Sequence, residues 1–320
     1  MNTETTKSDR KQPLLILAGP TASGKTALSV ELARRLNGEI ISADSMQVYH
    51  RMDIGTAKIR PEEMEGVPHH LIDICEPITR NQQDEWNVMR FTQMSEQLIR
   101  EIAMRGHLPM IVGGTGFYIH AVAYGAEFTE EESSPIRKEL EAMSTEDLAE
   151  ELKRIDPVSA ERIHPNNRKR VIRAIEFYRQ NGKPISENND QLKAKESPYN
   201  LCYLVLDMPR EQLYQRIDQR VDLMMEQGLV DEVAALKKEG ATEDMVSMKG
   251  LGYKEILAYL NGETTLEEAV YILKRDTRHF AKRQLTWWKG EKDAIFLPVH
   301  PKDTLADRAM EVIQQQFHNF

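Results

Sequence analysis

The chain has 320 residues, enough for one large α/β domain with an insertion or for two domains. Its apolar (40%) and charged (29%) fractions are typical of a globular protein, and no apolar run approaches the ~20 residues that span a bilayer. The net charge of −9 by itself argues against nucleic-acid binding, and Cys75 and Cys202 are too few for a disulfide framework or a Cys-based zinc site. The polar start, "MNTETTKSDRKQP", lacks the apolar segment of a signal peptide, so we expect a cytoplasmic protein without a membrane segment.

A strand, a glycine-rich loop and a helix are predicted first along the chain. "PLLILAGP" has the length and apolar content of a buried parallel strand. It runs into "GPTASGKT", which matches the pattern G-x-x-x-x-G-K-[ST] in full. In "TALSVELARRLN", leucines recur at every fourth position, which predicts an amphipathic helix that ends at Gly38.

A loop of this pattern between a strand and a helix predicts a phosphate-binding site. Backbone N–H groups would surround the phosphate oxygens at the positive end of the helix dipole. Lys25 would reach the terminal phosphate, and Thr26 would offer its hydroxyl to Mg²⁺, the expected metal. The residues predicted to bind phosphate are Gly19, Pro20, Thr21, Ala22, Ser23, Gly24, Lys25 and Thr26. A glycine-rich turn of purely structural meaning is the alternative, and the motif does not distinguish kinases, NTPases and enzymes that displace diphosphate.

An acidic residue follows the second predicted strand, "EIISADS". Asp44 would lie at the carboxyl end of that strand, where a doubly wound sheet forms a ligand crevice beside the phosphate loop. In an arbitrary protein with this loop, such an aspartate is either a helix N-cap or an indirect partner of Mg²⁺. The residues after it narrow the choice, as described below.

A further helix and strand are predicted before residue 126. "DEWNVMRFTQMSEQLIREIAMRG" predicts a long helix with Asp84 as its N-cap and Gly106 at its end. "LPMIVGGTG" predicts a buried strand that places Thr115 at the same crevice, where it could also be the N-cap of the next helix. Strands that alternate with helices predict an α/β fold, a P-loop NTPase-like, doubly wound parallel sheet covered on both faces.

The pattern changes over residues 127–197. Apolar strand-like runs are missing, and helical stretches alternate with Ser/Pro and Asn/Pro breaks, which predicts a mainly helical insertion domain. "YNLCYLVLDMP" then resumes the sheet. We therefore expect a discontinuous core formed by residues 11–126 and 198–320.

Two basic stretches stand out in this acidic chain. "RIHPNNRKRVIRAIEFYRQNGKP", in the insertion, combines an apolar stripe with cations that would project towards RNA phosphates. "KRDTRHFAKRQLTWWK" combines cations with Trp287 and Trp288, which suits unpaired RNA bases because these stack on aromatic and guanidinium planes. The alternatives are solvated charged faces and a place in the core for one or both tryptophans.

Six blocks of the sequence occur in one order: "GPTASGKT", "SADSMQVYHRMDIGTAK", "HHLID", "VGGTGFY", "RIHPNNRKRVIRAIE" and "TRHFAKRQLTWW". Together they resemble the tRNA dimethylallyltransferases, the bacterial tRNA isopentenyltransferases, from about Leu14 to Lys289. The resemblance implies transfer of a dimethylallyl group from dimethylallyl diphosphate to the exocyclic N6 amine of an adenosine. That adenosine would lie directly 3′ of the anticodon in tRNAs that read codons beginning with U. The loop would then hold a diphosphate leaving group, and a C–O bond would break.

The resemblance implies a role in the reaction for four residues. Asp44 would take the proton from the amine, a poor nucleophile because its lone pair is delocalised into the adenine ring. Lys25, Arg220 and Mg²⁺ at Thr26 would stabilise the charge that grows on the diphosphate. For Arg220, in "YQRIDQRVDLMM", the alternative is an ordinary solvated arginine.

The resemblance also implies contacts with tRNA, the macromolecular partner that we expect for a monomeric enzyme. They would come from Asp44, Ser45, Met46, Gln47, Thr115, Arg137, Lys169, Arg170, Val171, Ile172, Arg173, Lys249, Gly250, Gly252, Tyr253, Lys254, Lys282, Arg283 and Trp287. Two features depart from the family. Lys289 follows Trp288 where an arginine is common, and no cysteine follows Trp288 to form the zinc finger of eukaryotic members.

Three other functions use a similar loop. An adenylate isopentenyltransferase takes the same donor but a free nucleotide acceptor, and it needs neither the insertion nor the basic helices. A nucleoside or shikimate-type kinase would transfer phosphate from ATP, and the "DSMQVY" block argues against it. A non-catalytic RNA-binding regulator would bind tRNA without turnover and would tolerate the loss of Asp44.

Overall fold

The chain divides into two compact units, Met1–Ala123 together with Pro198–Phe320, and Tyr124–Ser197. The structure, a computed structural model, describes residues 11–79, 85–125, 135–300 and 304–317. The smaller unit begins at Tyr124, shortly before the start predicted for the insertion. Within the described ranges, no helix combines the length and the apolar character needed to cross a membrane.

The larger unit is built on a parallel sheet of six strands. The strands are β1 (Pro13–Ala18), β2 (Gly38–Ala43), β3 (His69–His70), β4 (Leu108–Gly113), β5 (Asn200–Asp207) and β6 (Ala294–Pro298). Their order across the sheet is β3-β2-β4-β1-β5-β6, and each neighbouring pair is parallel. The predicted parallel α/β fold is therefore confirmed, with β1 between β4 and β5.

Helices connect the strands and form the smaller unit. In chain order they are α1 (Lys25–Leu36), α2 (Val88–Met104), α3 (Gly116–Tyr124), α4 (Pro135–Ala142), α5 (Thr145–Ile155), α6 (Pro157–Arg162), α7 (Arg168–Asn181), α8 (Ile185–Ala194), α9 (Arg210–Glu226), α10 (Leu229–Lys238), α11 (Tyr253–Leu260), α12 (Leu266–Trp288) and α13 (Leu305–Phe317). The smaller unit contains α4 to α8, which pack around buried leucine, valine and isoleucine side chains.

The sheet is covered on both faces because its central strands are apolar on both sides. Leu15 and Leu17 of β1 share one buried cluster with residues of α1 and α13. Leu14 and Ile16 alternate with them, so they point to the other face, and both are fully buried. α2 contacts β2 and β4 and contributes no described residue to the α1–α13 cluster, so it covers that other face.

The end of α1 differs from the prediction that Gly38 stops the helix. α1 ends at Leu36, and Asn37 adopts the left-handed conformation (φ 50°) while its N–H bonds to Ala33 O. Asparagine tolerates this conformation, so no glycine is needed there. Gly38 instead begins β2, where a Cβ atom would lie 2.6 Å from Met110 Sδ. The glycine permits close packing of the sheet.

The start of α2 also differs from the prediction. Asn87 is the N-cap, and its side chain accepts a hydrogen bond from Arg90 N at 3.0 Å. The predicted cap, Asp84, lies outside the described residues. At the C-terminal end of α2 a glycine does follow the helix, as predicted: Gly106 has a left-handed conformation (φ 79°) just after it.

Candidate active site

The carboxyl ends of β1, β2 and β4 open into a cavity of about 400 Å³. β2, β3 and β4 lie on one side of β1 in the sheet, whereas β5 and β6 lie on its other side. The order of the strands therefore changes direction at β1, and parallel sheets bind ligands at such a switch point. The loops after these strands, with α9 and α12, place Lys25, Asp44, Thr115, Arg220 and Gln284 in the cavity lining. The volume lies in the range of small-ligand sites.

The loop after β1 has the shape of a phosphate cradle. Gly24 adopts a left-handed conformation (φ 95°) just before α1, and Lys25 Nζ donates to the backbone oxygens of Gly19 and Pro20 at 2.8 Å each. Ser23 is 1% exposed, and its hydroxyl has no hydrogen-bond partner in the part of the chain that the structure describes. A buried hydroxyl without a partner is unfavourable, and Ser23 itself does not line the cavity, so the case for a phosphate cradle rests on the loop backbone, Lys25 and Thr26.

Two cations share the phosphate end of the cavity. The guanidinium of Arg220 donates to Thr21 Oγ1 at 3.2 Å. Removal from water lowers the pKa of Lys25 to about 7, with a further lowering from Arg220 that Asp44 opposes. Removal from water also lowers the pKa of Arg220, again opposed by Asp44. The carboxylate therefore lies within electrostatic reach of both cations. An anion bound between them would be strongly favoured.

Asp44 shapes its own loop and also lines the cavity. Its Oδ1 accepts hydrogen bonds from the backbone N–H groups of Met46 (2.8 Å) and Gln47 (3.2 Å), as a capping residue does. The same side chain lines the cavity. Thr115, directly before α3, accepts a hydrogen bond from Ser45 N through Oγ1 at 3.3 Å. The loop after β4 therefore steadies the segment that carries Asp44.

The segment from Lys249 to Lys254, which runs into the start of α11, contributes to both the cavity and the core. Lys249, Gly250 and Lys254 line the cavity. Tyr253 is fully buried and its hydroxyl donates to the Glu232 carboxylate. The ring fills the core and its polar end already has a partner, so only the main chain of Tyr253 is available for the predicted tRNA contact.

α12 lines the cavity and also presents residues to the surface. Lys282 and Arg283 are exposed, and Arg283 also lines the cavity. Trp287 is 40% exposed, as a residue that stacks on RNA bases must be, whereas Trp288 is fully buried. The core alternative considered for the two tryptophans therefore holds for Trp288.

Gln284 is a cavity residue that no motif in the sequence marks. Its side chain accepts a hydrogen bond from Thr21 N at 3.0 Å and donates one to Gly114 O at 2.8 Å. It carries no charge, so it did not stand out in a basic segment. The available signal was its place on the helix, since Gln284 shares the buried face of α12 with Ala281 and Trp288. A polar side chain on such a face needs partners.

The smaller unit carries part of the predicted basic surface. Lys169 and Arg170 of α7 are exposed. Val171 and Ile172 are buried in the core of this unit (1% and 5% exposed), as the apolar stripe of this segment predicts, so only their main chain is available for the predicted tRNA contact. Arg137 pairs with the buried Glu176 at 3.0 Å, which joins α4 to α7 and gives this arginine a structural role.

The oxygen donors of the cavity fit a magnesium ion that is held mainly by phosphate. Thr26 and Asp44 both line the cavity and offer a hydroxyl and a carboxylate. Among the described residues, no group of three or more His, Cys, Asp and Glu side chains is arranged to hold a metal. Mg²⁺ does not require one, because it commonly uses one or two protein oxygens together with waters and substrate phosphates.

Solved structures with this fold are similar over nearly the whole chain. The full-length tRNA isopentenylpyrophosphate transferase of Bacillus halodurans has a TM-score of 0.73 at 43% identity, with 96% of this chain and 98% of that one covered. A eukaryotic dimethylallyltransferase described as acting on tRNA has a TM-score of 0.80 at 30% identity, with 96% and 79% covered.

Sequence comparisons give the same result. A tRNA dimethylallyltransferase of Lachnoclostridium phytofermentans is 58% identical over 291 residues, which cover 89% of this chain and 91% of the relative. One from Anoxybacillus flavithermus is 46% identical over 312 residues, covering 96% and 98%. The model of the IPP transferase family matches residues 47–291. The chain therefore belongs to the IPP transferase family.

Proposed function

We propose that this protein transfers the dimethylallyl group of dimethylallyl diphosphate to the N6 amine of an adenosine in tRNA, with diphosphate as the second product. Membership of the IPP transferase family supports the reaction class. The observation that carries the proposal is that Lys25, Arg220 and Asp44 line one cavity and act electrostatically on each other. A cradle for an anion and a proton acceptor are thus available side by side.

At the phosphate end, the protein would stabilise the leaving group. As the C–O bond breaks, its electron pair stays on the diphosphate, and the allylic carbon becomes cationic. Lys25 and Arg220 would contact the growing negative charge in a site partly shielded from water, where such contacts are strong. Losing one of them typically costs about 3–4 kcal/mol. Mg²⁺, when bound at Thr26, would neutralise further charge on the diphosphate.

At the other end, Asp44 would act as the general base. The C–N bond forms while the N6 proton passes to the Asp44 carboxylate, so the amine does not have to carry a full positive charge. The backbone N–H groups of Met46 and Gln47 hold one carboxylate oxygen in place. The second oxygen would then face the amine.

The acceptor adenosine has to leave its stack to reach the cavity. We propose that it is the nucleoside 3′ of the anticodon, in tRNAs that read codons beginning with U, because anticodon-loop bases are unpaired and can be extruded at low cost. Lys282, Arg283 and Trp287 of α12 would bind the flanking nucleotides. We propose further that the protein acts on tRNA as a monomer in the cytoplasm.

One transfer experiment tests the proposal. The protein is incubated with dimethylallyl diphosphate labelled in the alkyl group, Mg²⁺ and unmodified tRNA, and the RNA is digested to nucleosides. We expect label on N6 of the adenosine beside the anticodon and an equal amount of diphosphate. Parallel reactions contain AMP in place of tRNA, or ATP in place of the alkyl donor. Label on AMP but not on tRNA, phosphate transfer from ATP, or tRNA binding without turnover would each contradict the proposal.

A further inference from the structure

The side-chain amide of Gln284 lies between two loops of the cavity. It is 6% exposed, accepts a hydrogen bond from Thr21 N and donates one to Gly114 O. Thr21 belongs to the phosphate loop after β1, and Gly114 directly precedes Thr115 after β4. Because β1 and β4 are adjacent strands, this one amide bridges the two loops just beyond the strand ends.

Each bridged loop continues to a group with a role in the proposed reaction. Thr21 Oγ1 accepts the hydrogen bond of Arg220, which faces the diphosphate end. Thr115 Oγ1 accepts the N–H of Ser45, the residue next to the proposed base. The amide therefore connects the diphosphate end of the cavity to the amine end through one hydrogen bond on each side.

We propose that Gln284 is a positioning residue that sets the separation between the phosphate loop and the loop after β4. In doing so it aligns the diphosphate with the proton acceptor. The kinetic consequence rests on the proposed function, whereas the effect on the phosphate loop does not. Gln284 also lies in the same helix, α12, as Arg283 and Trp287. The residue that bridges the two loops and the residues predicted to bind RNA therefore belong to one helix.

Glutamine is suited to this position by its chemistry. The bridge needs an acceptor for Thr21 N and a donor for Gly114 O at the end of one side chain. Ionised glutamate keeps the acceptor but would place a second oxygen against the Gly114 carbonyl. Methionine has a similar length and neither strong group. Replacement by methionine thus keeps the packing and removes the bridge.

A substitution at Gly114 offers a second way to disturb the Gln284 bridge. A Cβ atom there would lie 2.5 Å from Gln284 Nε2, and the next atoms, Gln284 Cδ and Gly19 O, are at 3.7 and 3.8 Å. An alanine at this position should therefore displace the Gln284 amide and little else. In a protein that already has alanine at position 284, the same change should meet open space.

The test compares the wild type with Gln284→Met, Gln284→Ala, Gly114→Ala and the double variant Gln284→Ala/Gly114→Ala. Measurements are kcat, the KM for dimethylallyl diphosphate, the Kd for tRNA, and the calorimetric Kd for magnesium diphosphate.

Each single variant should lower kcat/KM by about 10- to 100-fold, as small misplacements of reacting groups do. kcat should fall, the KM and the diphosphate Kd should rise, and the tRNA Kd should change less than about twofold because the buried amide cannot touch RNA. When Gln284 is already alanine, adding Gly114→Ala should lower kcat/KM by less than about a further twofold.

Several results would overturn the positioning role. One is a Gln284→Met protein with wild-type kcat, KM and diphosphate Kd; another is a Gly114→Ala penalty that is equal with and without Gln284. A lower melting temperature with unchanged KM and diphosphate Kd would show a structural role alone. If the methionine variant does not fold, Gln284→Glu takes its place, since it retains the acceptor. If the wild type transfers nothing, the proposed function fails, and the diphosphate Kd still decides the role of Gln284.

Discussion

At the scale of single residues, Asp44 shows how one carboxylate can shape a loop and line a cavity. Its Oδ1 accepts from two consecutive backbone N–H groups, those of Met46 and Gln47. This leaves the other oxygen for the cavity that the side chain lines. The structural task needs only an acceptor, whereas the proposed chemical task needs a group that can take up a proton. The two tasks are therefore separable by substitution.

Asp44→Asn should separate them. The amide oxygen can still accept from the two N–H groups, so the loop and the tRNA Kd should be unchanged, while the amide cannot act as a base. We expect single-turnover transfer to slow by about 10²- to 10⁴-fold, the usual contribution of general-base catalysis. Asp307→Asn is the matched control, since Asp307 is an exposed partner of Arg35 on α13. Transfer by Asp44→Asn within about tenfold of the wild type would remove Asp44 from the chemical step.

Lys25 should make diphosphate binding proton-linked. Its pKa is lowered to about 7 in the protein without ligand, mainly by removal from water. A bound diphosphate would favour the charged form and raise this pKa. At about pH 8 the free side chain is therefore largely neutral, and binding should draw a proton from the buffer, up to about one per site. At about pH 6 the side chain is already charged in both states, so the uptake should vanish.

Calorimetry in two buffers of different ionisation heat measures this uptake. Lys25→Arg is the comparison, because arginine stays protonated in both states and diphosphate itself contributes equally to both titrations. We expect the wild type to take up more protons than Lys25→Arg at about pH 8 and an equal number at about pH 6. If the wild type and Lys25→Arg took up the same number of protons at about pH 8 as well as at about pH 6, Lys25 would be charged before the ligand binds.

At the scale of elements, Glu39 of β2 ties several segments together at the amino end of the sheet. It is 3% exposed and bonds to Arg105 after α2 (2.7 Å), His70 of β3 (2.7 Å) and His107 before β4 (2.6 Å). Burial alone would raise the pKa of Glu39, but the hydrogen bonds from Arg105, His70 and His107 outweigh it and lower the pKa to about 2. The ionised carboxylate therefore stabilises the fold.

Glu39→Gln should destabilise the protein by about 2–3 kcal/mol near neutral pH. Because the folded pKa lies below the unfolded value of 4.5, the contribution of Glu39 is present above that value and is lost as the pH falls towards about 2. The gap in free energy of unfolding between wild type and variant, from urea titrations, should therefore narrow below about pH 4. Glu65→Gln, which breaks an exposed pair with Arg34, should cost less than about 1 kcal/mol. A gap that does not depend on pH would contradict this account.

The elements that the sequence predicts well are those with local signals. β1, the phosphate loop and α1 follow each other within about 25 residues, and apolar content, glycine spacing and leucine period all agree there. β3 has two residues, His69 and His70, and is a strand only because it pairs with β2. No local pattern predicts so short a strand. The end of α1 was misplaced because asparagine and glycine both adopt the left-handed conformation that ends helices.

Site residues were predicted where charge or a motif marked them, and missed or misassigned where burial decided. Lys25, Asp44, Thr115 and Arg220 do line one cavity. Tyr253 lies between cavity residues in the sequence, but it faces the core, since neighbours on a helix point in different directions. Val171 and Ile172 were named with the basic RNA surface and also as an apolar stripe, and the structure confirms that their side chains are buried. Which side a residue faces is a tertiary property that a linear motif does not contain.

At the scale of the whole molecule, RNA binding has to overcome a net charge of −9. Distribution makes this possible, because RNA affinity depends on cations placed at phosphates more than on total charge. Exposed basic residues occur in both units, with Lys169 and Arg170 in the smaller and Lys282 and Arg283 in the larger. Binding should therefore weaken steeply with salt in spite of the acidic composition.

Arg170→Ala should weaken tRNA binding at every salt concentration and reduce the slope of log Kd against log salt by about one phosphate contact. The measurement is tRNA binding by fluorescence across a salt series. Arg35→Ala is the matched control, since Arg35 is a surface arginine near the end of α1 that pairs with Glu31 and Asp307. Its slope should equal that of the wild type. An unchanged slope for Arg170→Ala would place this residue outside the RNA interface.

The strand that carries the phosphate loop has partners from distant parts of the chain. β1 pairs with β4 on one side and with β5 on the other, and the whole smaller unit lies between those two in the sequence. On a ribosome that adds about 5–20 residues per second, the stretch from Gly113 to Asn200 takes on the order of ten seconds to synthesise. During that interval a nascent chain has β1 with one open edge, the kind of surface that chaperones shield and that aggregation exploits. The helices of the smaller unit, by contrast, are complete before that edge is closed.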